Sequence, residues 1–222
     1  MMDGYSLLRF AHVLCAIYWV GGSLGVVILT VALRNRNYSP EFRHMLVRLS
    51  LDVDIPPRIA MVVITPFGLH LAGMTGLLAI STPVLVLAWV CVVIWLGGEY
   101  ITHGRETEPF AIKIYITIGV IMAGACLSLL GLGIYALMND WPFRQGWLAM
   151  KALLLGLVFL VSISMSRYYA PLTNVVERLK NEGSTEEIET ALSFYLNRGM
   201  AGSISLIFLW FTIIYMAVNR PF

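Results

Sequence analysis

The chain has 222 residues, of which 59% are hydrophobic and only 13% are charged, and its formal net charge is +2. A typical soluble domain is about 45–50% apolar and about 25% charged, so this composition excludes an ordinary soluble domain and indicates an integral membrane protein. The small, scattered positive charge gives no indication of nucleic-acid binding, and three cysteines in separate apolar runs give none of a disulfide framework or a zinc finger.

Six apolar runs follow one another along the chain. A helix needs about 20 apolar residues to cross a bilayer core of roughly 30 Å. The sequence predicts such helices at 6–33, 58–80, 83–101, 112–138, 146–166 and 200–218. Polar or proline-containing segments separate several of them, among them "RNRNYSP", "STP" and "NDWPF". We therefore predict an all-α fold, a single domain over 1–222 built as an integral membrane bundle of six transmembrane helices.

The placement of the basic residues predicts the orientation of these helices. One set of alternate loops and helix ends holds most of the basic residues, namely Arg34, Arg36, Arg43, Arg48, Arg58, Arg105, Lys113, Arg167, Arg178, Lys180 and Arg198. The other side holds only Arg9, Arg144, Lys151 and Arg220. By the positive-inside rule, both termini are expected on the non-cytoplasmic side.

The longest polar stretch, at about 168–199, then becomes a cytoplasmic loop. Its segment "STEEIETAL" opens with a Ser/Thr pair followed by carboxylates, which is typical of a helix N-terminus. We expect a short amphipathic helix there, lying at the membrane interface and leading into the last span.

Four polar residues are predicted in the outer half of the membrane. His12 and Lys151 lie at similar depth in the first and fifth spans, and Arg9 lies one turn above His12. His70 is expected roughly 15 Å from the outer end of the second span, at about 1.5 Å per residue. Ionisable side chains at such depth are costly, so they are usually kept for binding or transfer.

A b-type haem would use these four residues together. Two histidines would ligate the iron from opposite faces, and the two cations would pair with the propionates. Glycines at 21–22, 68 and 73 would let a flat macrocycle approach the backbone. Simpler interpretations stay open: His12 could form only an interhelical hydrogen bond, and Lys151 and Arg9 could only extend toward the outer interface.

Other candidate ligands are weaker. His103 and His44 are expected at or beyond the inner boundary, where they would be solvated or would ligate a second, inner haem. The "DVDIPPR" segment is interpreted as a turn with a local ion pair among Asp52, Asp54 and Arg58.

Copper(I) is an alternative metal for the outer half of the bundle. Its soft ligands would be His12, Cys15 and methionines such as Met74 and Met150, although methionine in a span is usually a packing residue.

Three stretches carry a resemblance to a known group of proteins. "FAHVLCAIYWVGGSL", "QGWLAMKALLLGLVFLVSI" and "LSFYLNRGMAGSISLIFLWFTIIYMAVNRPF" resemble signature helices of HemJ-type protoporphyrinogen oxidases and the related CopD-like membrane proteins. The resemblance covers about a third of the chain. The histidine that the group carries in its "GWLHxK" helix is absent here, and Arg198 replaces a carboxylate of the final helix.

The resemblance implies a haem-b-binding membrane protein of a bacterial inner membrane, with His12 as axial ligand and Lys151 as the important lysine. The "H…W…G" signature adds Trp19 and Gly22 as cofactor contacts. For the HemJ group it implies oxidation of a porphyrin substrate, with quinone or a redox partner protein as acceptor. For the CopD group it implies a copper permease.

We therefore predict a membrane cytochrome acting in electron transfer or oxidoreduction, with His12 and His70 as haem ligands. Arg9 and Lys151 are predicted to bind the propionates or an anionic substrate. The alternatives are copper transport and a haem-free subunit that anchors a partner, and assembly as a homo-oligomer stays open.

Overall fold

The computed structural model describes residues 3–102, 105, 108–143 and 145–221, without the side chains of 169 and 170. The described residues form no strand, only an isolated bridge between Leu78 and Phe143. They form six α-helices: α1 (Gly4–Leu33), α2 (Pro40–Met74), α3 (Thr82–Thr102), α4 (Pro109–Asn139), α5 (Gly146–Glu182) and α6 (Glu186–Asn219). All six are long and apolar enough to cross a membrane. The prediction of an all-α multi-pass membrane protein with six spans is confirmed.

Side-chain caps mark where several helices begin. Asp3 accepts a hydrogen bond from the backbone N–H of Ser6 at 2.7 Å and so caps α1. Ser39 caps α2 in the same way, and a proline occupies the first position of that helix. Proline is favoured there because the first N–H groups of a helix have no intrahelical partner.

The six helices pack as a ring in which α2 and α5 also contact each other across the middle. Each helix packs against the next along the chain, α6 returns to α1, and α2 crosses the ring to contact α5. The helices alternate in direction, so α1 begins and α6 ends at the same end of the bundle, hereafter the terminal end. The Leu78–Phe143 bridge also lies there and joins the α2–α3 loop to the α4–α5 loop.

Small residues allow the helices to approach closely. A Cβ built on Gly22 of α1 would lie 2.7 Å from two ring atoms of Pro57 in α2. Gly133 of α4 faces the backbone of Leu153 in α5, where a Cβ would lie 2.7 Å from the amide nitrogen. Without a hydrophobic force between helices in lipid, such close contacts carry much of the packing energy.

The second helix differs from its prediction at both ends. It begins at Pro40 rather than near 58, and it continues through Pro56 and Pro57, so the predicted "DVDIPPR" turn is wrong. The fit of the Pro57 ring into the space at Gly22 accounts for a helix that survives two missing N–H donors. The helix ends at Met74 rather than at 80, because the chain turns at Gly76, whose φ is +68°.

The ion pair predicted beside that turn is present. Arg58 contacts Asp54 one helical turn earlier at 2.8 Å, and it also lies 3.4 Å from Glu99 of α3. Asp52 is exposed.

The predicted short helix within 168–199 is also wrong as a separate element. α5 continues to Glu182, and after three residues α6 starts at Glu186 and runs into the membrane span without a break. The N-terminal signal itself is confirmed, because the Thr185 hydroxyl accepts a hydrogen bond from the Ile188 N–H at 3.3 Å.

A second apolar core explains why these helices extend so far. It lies at the end opposite the terminal end, and we call it the opposite-end core. Its members recur at helical spacing on α5 and α6 and pack with the end of α1 and the start of α2; they are Leu33, Val47, Leu172, Val176, Leu179, Ile188, Leu192 and Leu196. Burial of this stripe favours continuous helices over a separate surface helix.

Candidate functional site

His12 lies on the face of α1 that packs against α2. Its ring Nδ1 is 3.1 Å from the backbone oxygen of Ile64. A carbonyl only accepts hydrogen bonds, so Nδ1 carries the proton, and Nε2 of the neutral ring presents a lone pair. Within the described residues, Nε2 has no hydrogen-bond partner. Histidines that bind metals commonly have this arrangement, with one ring nitrogen fixed by a carbonyl and the other free.

The glycine opposite His12 makes room for the imidazole. A Cβ on Gly68 would lie 3.1 Å from Cε1 and 3.7 Å from Nδ1 of His12. The space at Gly68 therefore belongs to the histidine ring and not, as predicted, to a macrocycle. The space at Gly73 is likewise filled by Ile80, whose Cγ2 would lie 2.9 Å from a Cβ there.

Two cations lie together at the terminal end. Lys151 Nζ lies 5.6 Å from the centre of the Trp147 indole, and the guanidinium carbon of Arg220 lies 5.4 Å from it. Within the described residues, the helix that carries His12, α1, packs against α2 and α6 and not against α5, so the predicted proximity of Lys151 to His12 stays a prediction.

These cations have no acidic partner in the part of the chain that the structure describes. The salt bridges there involve neither Lys151 nor Arg220, and Arg9, exposed one turn before His12 on α1, has none either. Two cations beside one indole, with no carboxylate to neutralise them, favour an anionic ligand.

His70 does not join this group. Six residues separate it from Ile64, which corresponds to about 240° around a helix, so it lies on a different face of α2. There its ring centre is 6.4 Å from that of Trp89 in α3. His12 meets α2 at Ile64 and Gly68, whereas His70 faces Trp89 of α3, so this placement does not support the predicted His12–His70 pair across one haem, which stays a prediction.

The depth predicted for His70 was wrong. It precedes the end of α2 by four residues, or about 6 Å rather than 15 Å. Hydropathy alone extended the helix across the turn that follows Met74.

Trp19 and Gly22 have protein partners. The Trp19 ring lies 4.0 Å from that of Trp210 in α6, centre to centre, at an interplanar angle of 41°. Pro57 fills the space at Gly22. Both positions serve helix packing, and Gly22 leaves no room for the predicted cofactor contact.

The weaker histidine candidates are not brought together with the site. His44 lies at the opposite end, where its Nε2 is 2.8 Å from a carboxylate oxygen of Glu177. His103 lies outside the described residues. Across the described ranges, no group of three or more His, Cys, Asp or Glu side chains is placed to hold a metal ion. A copper path through His12 and Cys15 therefore gains no supporting geometry from these residue types.

Sequence reasoning missed several residues of the site. Trp147 stands four residues before Lys151, a spacing that places both on one helix face and was available as a signal. From the sequence, Arg220 counts only as one of the few basic residues on the non-cytoplasmic side. Among the described residues, the buried Thr65 hydroxyl and the indole N–H of Trp210 have no hydrogen-bond partner, and no sequence pattern predicts this.

Thr65 stands next to a break in the backbone hydrogen bonding of α2. It precedes Pro66, which has no N–H to offer the carbonyl four residues earlier. The Thr65 hydroxyl, unpaired among the described residues, thus belongs to the residue next to the carbonyl that His12 binds.

The fold and the site define a class, a multi-pass helical membrane protein with a half-buried histidine between two helices and a pair of cations at the same end of the bundle. No protein-family model, curated protein or solved structure matches the chain. The likeness to the HemJ and CopD groups therefore stays a prediction.

Proposed function

We propose that this chain is a membrane oxidoreductase or electron-transfer protein that binds a b-type haem through His12 alone. The observation that carries the proposal is the hydrogen bond from His12 Nδ1 to the Ile64 carbonyl, which orients the ring and leaves Nε2 as a ligand. We leave His70 out of the proposed ligand set because its ring faces Trp89 of α3, on another side of α2.

The residues around His12 fit one axial ligand and an acidic periphery. Lys151, Arg220 and Arg9 have no carboxylate partner among the described residues, and their positive charge suits the propionates of a haem or the carboxylates of a porphyrin substrate. When bound, haem supplies one-electron chemistry, and its potential depends on its ligand, burial and neighbouring charge.

The chain's own contribution is orientation and charge. The imidazole is fixed by Ile64 and by the space at Gly68, so it pays little conformational entropy on binding iron. Lys151 lies about 7 Å inside α5 and His12 about 12 Å inside α1, so anionic groups are held nearer the surface than the iron ligand.

We further propose that the terminal end faces away from the cytoplasm of a bacterial inner membrane. The distribution of Lys and Arg supports this, since most of them lie toward the opposite end. A cysteine placed at Ser6 and one placed at Glu182, each probed with an impermeant thiol reagent on intact cells, test it. Labelling of the Ser6 position alone is expected, and labelling of the Glu182 position alone would reverse the orientation.

The test of haem binding is a pyridine haemochrome assay with metal analysis on protein purified from membranes. We expect about one haem b per chain in the wild type and in His70→Ala, and none in His12→Ala. His44→Ala is a matched control at the opposite end. Copper without haem in the wild type would overturn the proposal in favour of a permease, and neither metal would favour an anchoring subunit.

A further inference from the structure

Arg198 of α6 lies at the level where the membrane ends, on the side of the opposite-end core. It precedes Asn219, the last residue of α6, by 21 residues, or about 32 Å at about 1.5 Å per residue. Tyr168 of α5 follows Gly146, the first residue of its helix, by 22 residues, or about 33 Å. With the terminal end at one boundary of a bilayer core of roughly 30 Å, both side chains lie among the lipid headgroups at the other boundary.

Two aromatic rings hold the Arg198 guanidinium at this level. Its carbon lies 4.4 Å from the centre of the Phe194 ring, one turn earlier on α6, and 5.5 Å from that of Tyr168 on the adjacent α5. A cation within about 6 Å of an aromatic face is attracted to it. Side chains on a helix lean toward its N-terminus, and the N-terminus of α6 points away from the bilayer centre. The guanidinium is therefore directed toward the headgroups and not toward the acyl chains.

No acidic side chain neutralises Arg198 within the described ranges. It takes part in none of the salt bridges found there, and the Tyr168 hydroxyl has no hydrogen-bond partner in them. The nearest carboxylate along α6, that of Glu189, is nine residues away and is paired with Arg43. A planar cation without a counter-charge, beside a free hydroxyl donor, matches the oxygens of a phosphodiester.

We propose that Arg198, Tyr168 and Phe194 form a binding site for an anionic phospholipid. Its phosphodiester accepts hydrogen bonds from the guanidinium and from the Tyr168 hydroxyl. Its acyl chains lie against exposed apolar side chains that α6 presents farther into the bilayer, among them Ile204 and Phe208. A zwitterionic phospholipid brings its own cation to this positive site, so the site selects a headgroup with net negative charge. Binding here requires no haem at His12.

The test is native mass spectrometry of the full chain in a maltoside detergent, titrated with phosphatidylglycerol or with phosphatidylcholine of the same acyl chains. It resolves each bound lipid, and the neutral detergent removes the surface potential of a charged bilayer. We expect the first phosphatidylglycerol to bind the wild type about tenfold more tightly than the first phosphatidylcholine, as one charge-assisted hydrogen bond supplies. Arg198→Gln is expected to abolish this preference. Arg198→Lys should keep part of it, because lysine keeps the charge but not the planar group that stacks on Phe194.

Arg167→Gln is the matched control. Arg167 is exposed at the same depth, next to Tyr168, so this variant removes the same charge from the same level of the membrane. Among the described residues, however, Arg167 has no aromatic partner. Arg167→Gln is expected to keep the wild-type preference for phosphatidylglycerol.

Two results would overturn the proposal. Equal losses in Arg167→Gln and Arg198→Gln would show general attraction of anionic lipid to a positive surface and no site at Arg198. Equal affinities of the wild type for the two lipids would show that the headgroup is not selected.

Discussion

Removal of the Glu189 carboxylate is expected to destabilise the opposite-end core strongly. Arg43 and Glu189 are almost fully buried, with 1% and 3% of their surfaces exposed. Arg43 donates to both carboxylate oxygens, at 2.5 and 3.1 Å, and to the Leu33 carbonyl at 2.9 Å. Ser184 donates a further hydrogen bond to the same carboxylate at 2.6 Å. In Glu189→Ala, a buried guanidinium would therefore lose its counter-charge.

The expected loss of unfolding free energy depends on how deeply the ion pair is buried. Breaking a buried ion pair by removing one partner costs about 3–5 kcal/mol, whereas an exposed pair contributes about 0–1 kcal/mol. Glu186 offers a matched control, because it is 81% exposed and pairs with Arg36 at 3.4 Å. For a chain of this length, the loss in Glu189→Ala corresponds to a fall in melting temperature of roughly 6–20 °C.

The assay is thermal unfolding of the purified protein in one detergent, followed by circular dichroism. We expect a large fall in melting temperature for Glu189→Ala and a fall of a few degrees at most for Glu186→Ala. The double variant Arg43→Met with Glu189→Leu should recover most of the loss, because replacing both partners by apolar side chains is often neutral. Equal melting temperatures in the two single variants would refute the reasoning.

Further expectations concern packing, pH and the cation group. Gly22→Ala should cost about 1–3 kcal/mol of unfolding free energy because its Cβ would overlap a proline ring, whereas Gly21→Ala, with open space, should cost nothing in the same unfolding assay. The hydrogen bonds from Arg43 hold the pKa of Glu189 below its ordinary value of 4.5, so its stabilising effect should be complete above that value and lost as pH falls through the lower folded pKa. Melting temperatures between about pH 6 and 3 check this, and Glu189→Gln should flatten the profile. Lys151→Gln should weaken binding of a dicarboxylic porphyrin about tenfold in a fluorescence titration, and Lys151→Arg should restore it; equal affinities would remove the lysine from the site.

The six helices were predictable because length and apolar composition alone decide whether a segment can cross a bilayer. The ends of the helices were less predictable than the helices themselves. The end of α2 depends on Gly76, whose positive φ stops the helix inside an apolar run. The predicted start at 58 is wrong because the helix continues through Pro57, whose ring packs against Gly22, a contact between helices that no local pattern shows.

The sequence predicts how far along its helix each site residue lies, but not which neighbouring helix its side chain faces. Sequence position predicts similar depths for His12 and Lys151, and the structure puts each within the first three turns of its helix at the terminal end. The same reasoning paired His12 with His70, because it compared distances along the membrane and ignored rotation about α2. The turn that separates His70 from Ile64 sends it toward Trp89 instead.

We propose His12 as the only protein ligand of a b-type haem. The visible absorption spectrum of His12→Gly, recorded with and without added imidazole after haem is supplied, tests this proposal. We expect that this variant lacks a haem spectrum, that imidazole restores it, and that His70→Gly has the wild-type spectrum without imidazole. A full haem spectrum in His12→Gly, or its loss in His70→Gly alone, would contradict the proposal.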